Sequence, residues 1–350
     1  MKILVLNLGS TSTKLAVYND EKEERKVSLS HTKEEYSRFW LDQLDCRLGC
    51  VMKFLEETGY APADFDCVIS RGGSPPNIRS GATAINDTLI EVLRERPMEP
   101  QPANLSPIVA RRIADAAGIP AYVYDPITAD ELGPLARVFG VKEVKRDSMC
   151  HILNGRAMGI SVAKEMGRPF DTLTLIVAHI GGGNSIGLWS MGRPIETVPG
   201  DACAFSAERC GFIRSEKLLQ LTKEYDFDTI EGWLHGKGGF VSLLGTNDLR
   251  EVEKRIVDGD AEALLCEQAM AYQLSRFIAS LLPVTDGRAD GIVLTGGGAH
   301  WDRLMNDIRK RIAFFNIPVY VRPGENEMQS LAEGACRIMR GEEQVHTYQE

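Results

Sequence analysis

Residues 2–18 read Lys2-Ile3-Leu4-Val5-Leu6-Asn7-Leu8-Gly9-Ser10-Thr11-Ser12-Thr13-Lys14-Leu15-Ala16-Val17-Tyr18. Two runs rich in Val, Ile and Leu flank a turn of small polar residues, so the segment reads as two antiparallel strands joined by that turn. Gly9 and its hydroxyl neighbours offer backbone N–H and side-chain O–H donors at close range, and Lys14 adds positive charge. That combination suits a phosphate. An ordinary hydrophilic hairpin fits this stretch equally well on its own, and what separates the two readings is that the chain carries a second copy.

Working outward, Leu175 to Leu188 (Leu-Ile-Val-Ala-His179-Ile-Gly181-Gly-Gly-Asn184-Ser-Ile-Gly-Leu) matches the opening hairpin, with Gly181 in the place of Gly9. Asp290 to Gly297 echoes Asp66 to Gly73, each a short apolar strand running from an Asp to a Gly pair. Arg311 to Pro323 echoes Arg112 to Pro126. Three matched segments in one order imply a duplicated unit, each copy opening with a hairpin and continuing through alternating helix and strand. Between the matched segments, helical spacing is expected over 33–58 (Tyr36, Phe39, Trp40, Leu44, Leu48), 88–96, 106–117, 151–165 and 329–341, and a third short strand after the charged stretch Asn19 to Lys26.

The bulk composition narrows the function classes. At 350 residues, 43% hydrophobic and 25% charged, the chain suits two globular domains. A formal charge of −9 argues against nucleic acid or an anionic membrane as main partner, which leaves small-molecule work. The eight cysteines include no C-x-x-C pair and read as reduced thiols; Cys46 and Cys50 lie four apart on an expected helix, where a shared face explains them better than metal or redox use. With no signal peptide and no membrane-length apolar run, a cytoplasmic location is expected. P-loop and Rossmann readings drop out, since G-x-x-x-x-G-K-[ST] is absent and Ile186 and Trp301 stand where a third Gly of G-x-G-x-x-G would be.

The paired hairpins and the late Gly296-Gly-Gly298 resemble the superfamily of acetate and sugar kinases, actin and ATP-dependent chaperones. More narrowly, Asn7-Leu-Gly-Ser-Thr-Ser-Thr-Lys14, Ser70-Arg71-Gly-Gly73, Ala178-His179-Ile-Gly-Gly-Gly183, Phe205-Ser-Ala-Glu-Arg209, Gly245-Thr-Asn-Asp248-Leu-Arg250-Glu-Val-Glu253 and Pro323-Gly-Glu-Asn-Glu327-Met resemble the acetokinase family of short-chain carboxylate kinases, and within it the butyrate kinases. The resemblance runs nearly the whole chain in order. It implies an α/β fold of duplicated actin-like (ribonuclease H-like) domains, mixed sheets flanked by helices, with the active-site cleft between domains. The boundaries expected are 1–147 for the acyl and phosphate side and 148–328 for the nucleotide side, with the last helix, 329–350, able to pack back on the first. It further implies ATP and Mg2+ as cofactors, direct in-line transfer from ATP to butanoate giving butanoyl phosphate, and a homodimer or higher homo-oligomer.

Joining a phosphate to a carboxylate brings two anions together, and at about 4 Å two like unit charges repel by roughly 4 kcal/mol at a surface-like dielectric. Cations must cancel this, and the planar fork of Arg grips carboxylate or phosphate with two parallel bonds. Arg71, at a strand end beside Gly72 and Gly73, is the expected holder of the substrate carboxylate, against the plainer reading of a surface Arg in a turn. Arg209 resembles the family's arginine that stabilises the transferring phosphoryl group, and His151, at an expected helix start, resembles the histidine acting on the same group. Asp125, at a strand's carboxyl end, is expected to orient the acceptor or the metal, with a turn cap before Pro126 as the alternative. By resemblance Glu327 is the carboxylate near magnesium, assisted by Asn7 and Ser10. The nucleotide is expected on Asn7, Ser10, Ser12 and Lys14 of the first turn, on His179 and Gly181, Gly182 and Gly183 of the second, and on Asp248, Leu249, Arg250, Gly296, Gly297 and Gly298. The nucleophile is already an anionic oxygen, so no general base is required.

Two places depart from the butyrate kinase pattern. No His precedes Asn104-Leu105, where Glu99-Pro-Gln101-Pro-Ala103 stands, and Asp201-Ala-Cys-Ala204 replaces a Gly-Glu-Gly-Pro loop. Both are expected on the acyl side, with small apolar Ala202, Cys203 and Ala204 suiting a four- or five-carbon chain. Alternatives are a kinase for a branched-chain acid, acetate or propionate, or a non-catalytic ATP-binding regulatory module, to which Arg71, Arg209 and His151 would be superfluous. A metal-dependent enzyme would show closely spaced His ligands, and the six His include no H-x-x-x-H pair; a sugar kinase would want a catalytic-base Asp.

Overall fold

The computed structural model of the chain describes residues 1–32, 34 and 39–349. It divides into two compact units, Met1–Asp130 with Asn326–Glu350, and Glu131–Glu325.

The first unit holds strands β1 (Lys2–Leu8), β2 (Ser12–Asn19), β3 (Lys22–Ser30), β4 (Cys67–Ser70), β5 (Ala82–Ala84), β6 (Ala121–Tyr124) and, from the C-terminus, β12 (Val345–Thr347), in the order β12-β5-β6-β4-β1-β2-β3. β1 pairs antiparallel with β2 from Lys2↔Asn19 to Leu8↔Thr13, and parallel with β4. Ile3, Leu4, Val5 and Leu6 of β1 are fully buried, each contributing about 1.5–3 kcal/mol on the transfer scale. A strand covered on both faces reads as a continuous apolar run, which is why β1 shows no alternation. Helix Leu105–Ala117 packs on β4 and β6, and helix Glu327–Met339 on β1 and β4.

The second unit holds β7 (Thr174–His179), β8 (Ser185–Ser190), β9 (Arg193–Val198), β10 (Gly291–Gly296) and β11 (Val319–Pro323), in the order β11-β10-β7-β8-β9. Its pairings repeat those of β6-β4-β1-β2-β3: antiparallel through the hairpin and its third strand, parallel from the first strand outward. The matched aspartates act alike in both copies. Asp66 accepts the Lys2 N–H and Asp290 the Thr174 N–H, each at 2.7 Å, tying the start of the hairpin to the start of the neighbouring parallel strand. Between β9 and β10 the second unit inserts several helices, of which Ala261–Leu281 and, after β10, Asp302–Ile312 close its core.

Three expectations are corrected. The division falls at Asp130, not at 147, because the following segment bonds within the second unit: the Gly133 N–H donates to the Ile195 carbonyl at 3.1 Å, and Arg146 pairs with Glu196. The charged stretch expected before the third strand is itself β3, whose Lys, Glu and Arg side chains suit an exposed sheet edge. Of the helix expected over 33–58, residues 33 and 35–38, Tyr36 included, lie outside the described residues; a 3₁₀ turn Trp40–Gln43 leads into helix Leu44–Thr58. All eight cysteines are free thiols, and burial pushes those of Cys67 and Cys203 up to about 12. Among the described residues no helix is long and apolar enough to cross a membrane.

Candidate functional site

In the first unit, β1 ends at Leu8 and the chain turns through Gly9, whose N–H donates to the Ser12 carbonyl at 2.8 Å. Sequence reading missed what braces this turn. Arg47, 1% exposed, donates to the Ser10 and Ser12 carbonyls at 3.0 and 3.1 Å and to Thr13 Oγ1 at 2.9 Å, its fork oriented by Gln43 Oε1 at 2.9 Å. A lone Arg in a predicted amphipathic helix looks like solvent-facing charge; only the tertiary fold brings it under the turn.

The Glu327 carboxylate, on the first turn of its helix, gathers the neighbouring polar groups. Arg71 Nη1 lies 2.7 Å from Oε1, while Asn7 Nδ2 donates to Oε2 at 2.7 Å and Lys14 Nζ lies 3.5 Å from it. The structure thus joins Arg71, Glu327, Asn7 and Lys14, which are spread over 320 residues of sequence. A cavity of about 220 Å³ opens beside them, lined by Gly9, Ser10, Arg71, Gln101, Ala103 and Ile127. Gln101 therefore does stand on this side, its amide donating to Glu99 Oε2 at 3.0 Å. Asp125 is buried with a left-handed backbone (φ 46°), and its carboxylate accepts the Gly81 N–H at 2.6 Å, the geometry of a turn cap. Asp125 is not among the residues lining the cavity, though its neighbour Ile127 is.

In the second unit the β7–β8 turn is built from bare backbone. Asn184 Oδ1 accepts the Gly181 N–H at 3.1 Å while its amide donates to the Phe205 carbonyl at 2.8 Å. The segment Phe205 to Arg209 lies against this turn: the Ala207 and Glu208 N–H groups donate to the Gly181 and Gly182 carbonyls, and Ser206 Oγ caps the Arg209 N–H at 3.0 Å. The Arg209 guanidinium reaches Gly183 so closely that a Cβ there would stand 2.9 Å from its Cζ. No hydrogen bond or ion pair from that guanidinium is found among the described residues.

His179 ends β7, 3% exposed, with Nδ1 at 2.9 Å from Asn154 Nδ2 and Nε2 at 3.0 Å from Glu325 Oε1. His151 stacks on it, ring centroids 3.8 Å apart and planes 8° from parallel, its Nδ1 2.8 Å from Ser185 Oγ. Asn154, Glu325 and Ser185 were not singled out from sequence, because their partners are set by strand register and not by spacing.

A cavity of about 600 Å³ runs from this turn past Asp248, Leu249 and Arg250 to Gly297 and Gly298. Asp248 caps helix Leu249–Val257 and pairs with the Arg250 side chain at 2.7 Å; hydrogen bonds from Arg250 hold its carboxyl down to about 2. Gly296 has φ 89°, and a Cβ on it would stand 2.3 Å from the Ile180 carbonyl oxygen, so only glycine fits. Gly297 faces open space. The structure thus brings His179, Gly181 to Gly183, Arg209, Asp248 to Arg250 and Gly296 to Gly298 to one region of this unit.

Cys203 and Ala204 are 0% and 1% exposed within the second unit's hydrophobic core. Their side chains face the core and not a pocket, so the expectation drawn from small size is withdrawn for these two; Ala202, half-buried, lies outside that core.

Comparison with known proteins bears on the family and the fold. A family model described as the acetokinase family matches residues 154–326. A probable butyrate kinase 2 of Caldanaerobacter subterraneus is 38% identical over 352 residues, covering 99% of each chain, and butyrate kinase 2 of Clostridium acetobutylicum is 37% identical over 355 residues, again 99% of each. Among solved structures, acetate kinase of Porphyromonas gingivalis superposes with a TM-score of 0.78 at 19% identity, covering 96% of this chain and 99% of that one, which bears out the duplicated α/β fold. By full-length identity to these relatives, the chain belongs to the acetokinase family.

Proposed function

We propose that the chain is an ATP-dependent kinase of short-chain carboxylates, a transferase making butanoyl phosphate and ADP from butanoate and ATP. The observation that carries the reading is Arg71. Its guanidinium already pairs with a carboxylate, Nη1 lying 2.7 Å from Glu327 Oε1, at a strand end beside a cavity lined by Leu8, Ala103 and Ile127 together with the polar Asn7, Ser10 and Gln101. A small acid with a short apolar tail matches that combination of one cation, a few polar donors and a partly apolar wall.

In this reading Arg71 holds the acceptor carboxylate and Arg209 the transferring phosphoryl group, each cancelling charge that would otherwise oppose the approach. His151 donates to the phosphoryl oxygens, and Asp125 fixes the loop at the end of β6 that flanks the acceptor. The first turn, with Ser10, Ser12 and Lys14, cradles phosphate, and the second, with His179 and Gly181 to Gly183, does so from the nucleotide side. Asp248 to Arg250 and Gly296 to Gly298 take the nucleoside. Magnesium fits the donor set as a hard cation, because Glu327, the Asn7 amide oxygen and Ser10 offer oxygen ligands. Bound there, it would supply screening of the β- and γ-phosphate charge. Glu327 would exchange part of its contact with Arg71 and Lys14 for the cation, leaving both side chains to the anionic substrates. A cytoplasmic setting, with which cysteines outside any disulfide are consistent, and a homo-oligomer implied by the family resemblance complete the reading.

The test is an ATP- and magnesium-dependent assay in which hydroxylamine traps acyl phosphate, run on acetate, propionate, butyrate, isobutyrate and valerate with glycerol and hexoses as controls. Hydroxamate with butyrate above acetate is expected. Folded protein that binds ATP yet gives none with any short acid would overturn the reading in favour of a regulatory ATP-binding module.

A further inference from the structure

We propose that Asn154 is a positioning residue that fixes His179 as the neutral tautomer protonated on Nε2, so that the ring presents an N–H to a phosphate oxygen at the Gly181 turn. The proposal deepens the nucleotide-side reading above and rests on it for the identity of the phosphate.

The argument is one of donor and acceptor order. Glu325 Oε1, 3.0 Å from His179 Nε2, is a carboxylate oxygen and accepts only, so Nε2 must carry the proton. In a neutral ring Nδ1 then accepts and needs a donor, which the Asn154 amide supplies at 2.9 Å. The same amide nitrogen donates its second hydrogen to Thr295 Oγ1 at 3.2 Å, and the Thr295 hydroxyl points on to the Gly324 carbonyl at 3.5 Å. With the amide nitrogen facing the ring, these bonds run in one sense, and Asn154 Oδ1 is left buried without a hydrogen-bond partner among the described residues. Together they tie the ends of β7 and β10, the first turn of helix Ile152–Met166 and the Gly324-Glu325 segment to one imidazole. Two imidazolium rings 3.8 Å apart would repel, so the stack does not hold both rings charged. The ring also sits where a phosphate would meet it: His179 Nε2 lies 3.3 Å, and Glu325 Oε1 3.5 Å, from the position of a Cβ built on Gly181. Glu325 thus marks the acceptor position that a phosphate oxygen would take.

Nitrogen-15 spectra of the full-length protein read the tautomer directly, with the His179 signals assigned by their loss in His179→Gln. Wild type should show a single neutral form, protonated on Nε2. Asn154→Asp, nearly isosteric but accepting where the amide donates, should place a proton on Nδ1. Asn154→Leu, with no donor, should mix the two neutral tautomers and weaken ATP binding, by calorimetry in magnesium, by up to about tenfold. A purely structural Asn154 would leave the proton on Nε2 in both variants, and that result, or a wild-type ring protonated on Nδ1, overturns the proposal. A changed tautomer with unchanged ATP affinity overturns the phosphate contact. Failure of wild type to bind ATP would sink the nucleotide reading while the spectra still decide the role of Asn154, and the wild-type and Asp spectra suffice if the Leu variant does not fold.

Discussion

The two hairpin turns descend from one plan and have been finished differently. The first, Gly9 to Thr11, carries hydroxyls on its face and a buried guanidinium behind it, with Arg71, Lys14 and Glu327 beside it. The second, Ile180 to Asn184, is stripped to backbone, held by an Asn side chain and by the Phe205 to Arg209 segment, with a buried imidazole pair at its edge. A turn backed by fixed charge tolerates side chains in front. Under the proposed function, a turn that a ligand approaches closely has to give them up. The same topology therefore yields an ion-pair site in one unit and a close-approach site in the other, and mutations should separate the two.

The largest effect is expected at Arg209. A phosphoryl group spreads charge in the transition state that it lacks in bound ATP, so a fork aimed at it acts mainly on kcat. Arg209→Lys keeps the charge and loses the fork: kcat for acyl hydroxamate should fall on the order of 100-fold or more while the nucleotide KM changes little. An unchanged kcat would make the second turn a binding element only.

Next comes Arg47, the charge behind the first turn. Arg47→Met keeps the volume but removes the donor to the Ser10 carbonyl, one of the donors to the Ser12 carbonyl and the bond to the buried Thr13 Oγ1, at a cost of about 1–3 kcal/mol for a buried group left unpaired. Stability should fall by on the order of 3 kcal/mol, seen as a loss of roughly 6–12 °C in Tm. A Tm within a degree of wild type would mean that the first turn holds its shape without Arg47, as the second does without a guanidinium hydrogen-bonded to its carbonyls.

What the sequence made legible, and what it did not, follows the same division. The duplication was readable because each copy keeps an apolar run that must be buried on both faces and an Asp that must cap the hairpin's first N–H. Arg71 was singled out because joining two anions calls for a cation, and Glu327 by family resemblance; the structure puts the two side by side. Arg47, Asn154 and Glu325 were not singled out, because nothing local distinguishes a buried Arg or Asn from an exposed one; their partners lie up to 146 residues away and depend on register. The small residues Cys203 and Ala204 misled because small and apolar describes a tight core as well as a pocket wall.

A smaller, pH-dependent effect belongs to the second unit alone. Glu267 lies on helix Ala261–Leu281, inserted between β9 and β10, and is 0% exposed with neither carboxyl oxygen hydrogen-bonded to a described residue. Burial raises it to about 7, with Asp307 of the facing helix adding to the rise and Arg303, Arg311 and Lys310 opposing it. The folded chain keeps this proton to about pH 7 while the unfolded chain releases it near 4.5, so unfolding gains as pH rises between those values. Wild type should lose on the order of 2 kcal/mol between pH 5 and pH 8 through this group. Glu267→Gln should remove that part of the slope in urea titrations at the two pH values, and an unaltered slope would place the linkage elsewhere.

The smallest effect is expected at Gly9, and it bears most directly on the comparison. Gly9 is the counterpart of Gly181, yet the two positions are not equally demanding. A Cβ on Gly9 would find its nearest neighbours at 3.6 and 3.8 Å, the Ser12 carbonyl oxygen and Oγ, which is ordinary contact, and its φ lies outside the left-handed region. A Cβ on Gly181 would stand 3.3 Å from His179 Nε2, and one on Gly183 at 2.9 Å from the Arg209 guanidinium. Gly9→Ala should therefore leave ATP affinity and kcat within about twofold of wild type, a few tenths of a kcal/mol, and can even stabilise by restricting the unfolded chain. If Gly9→Ala instead abolishes phosphoryl transfer without unfolding the protein, a ligand must approach the first turn as closely as the second. The contrast drawn between a charge-backed turn and a backbone turn would then fail, because both would be working through bare N–H groups.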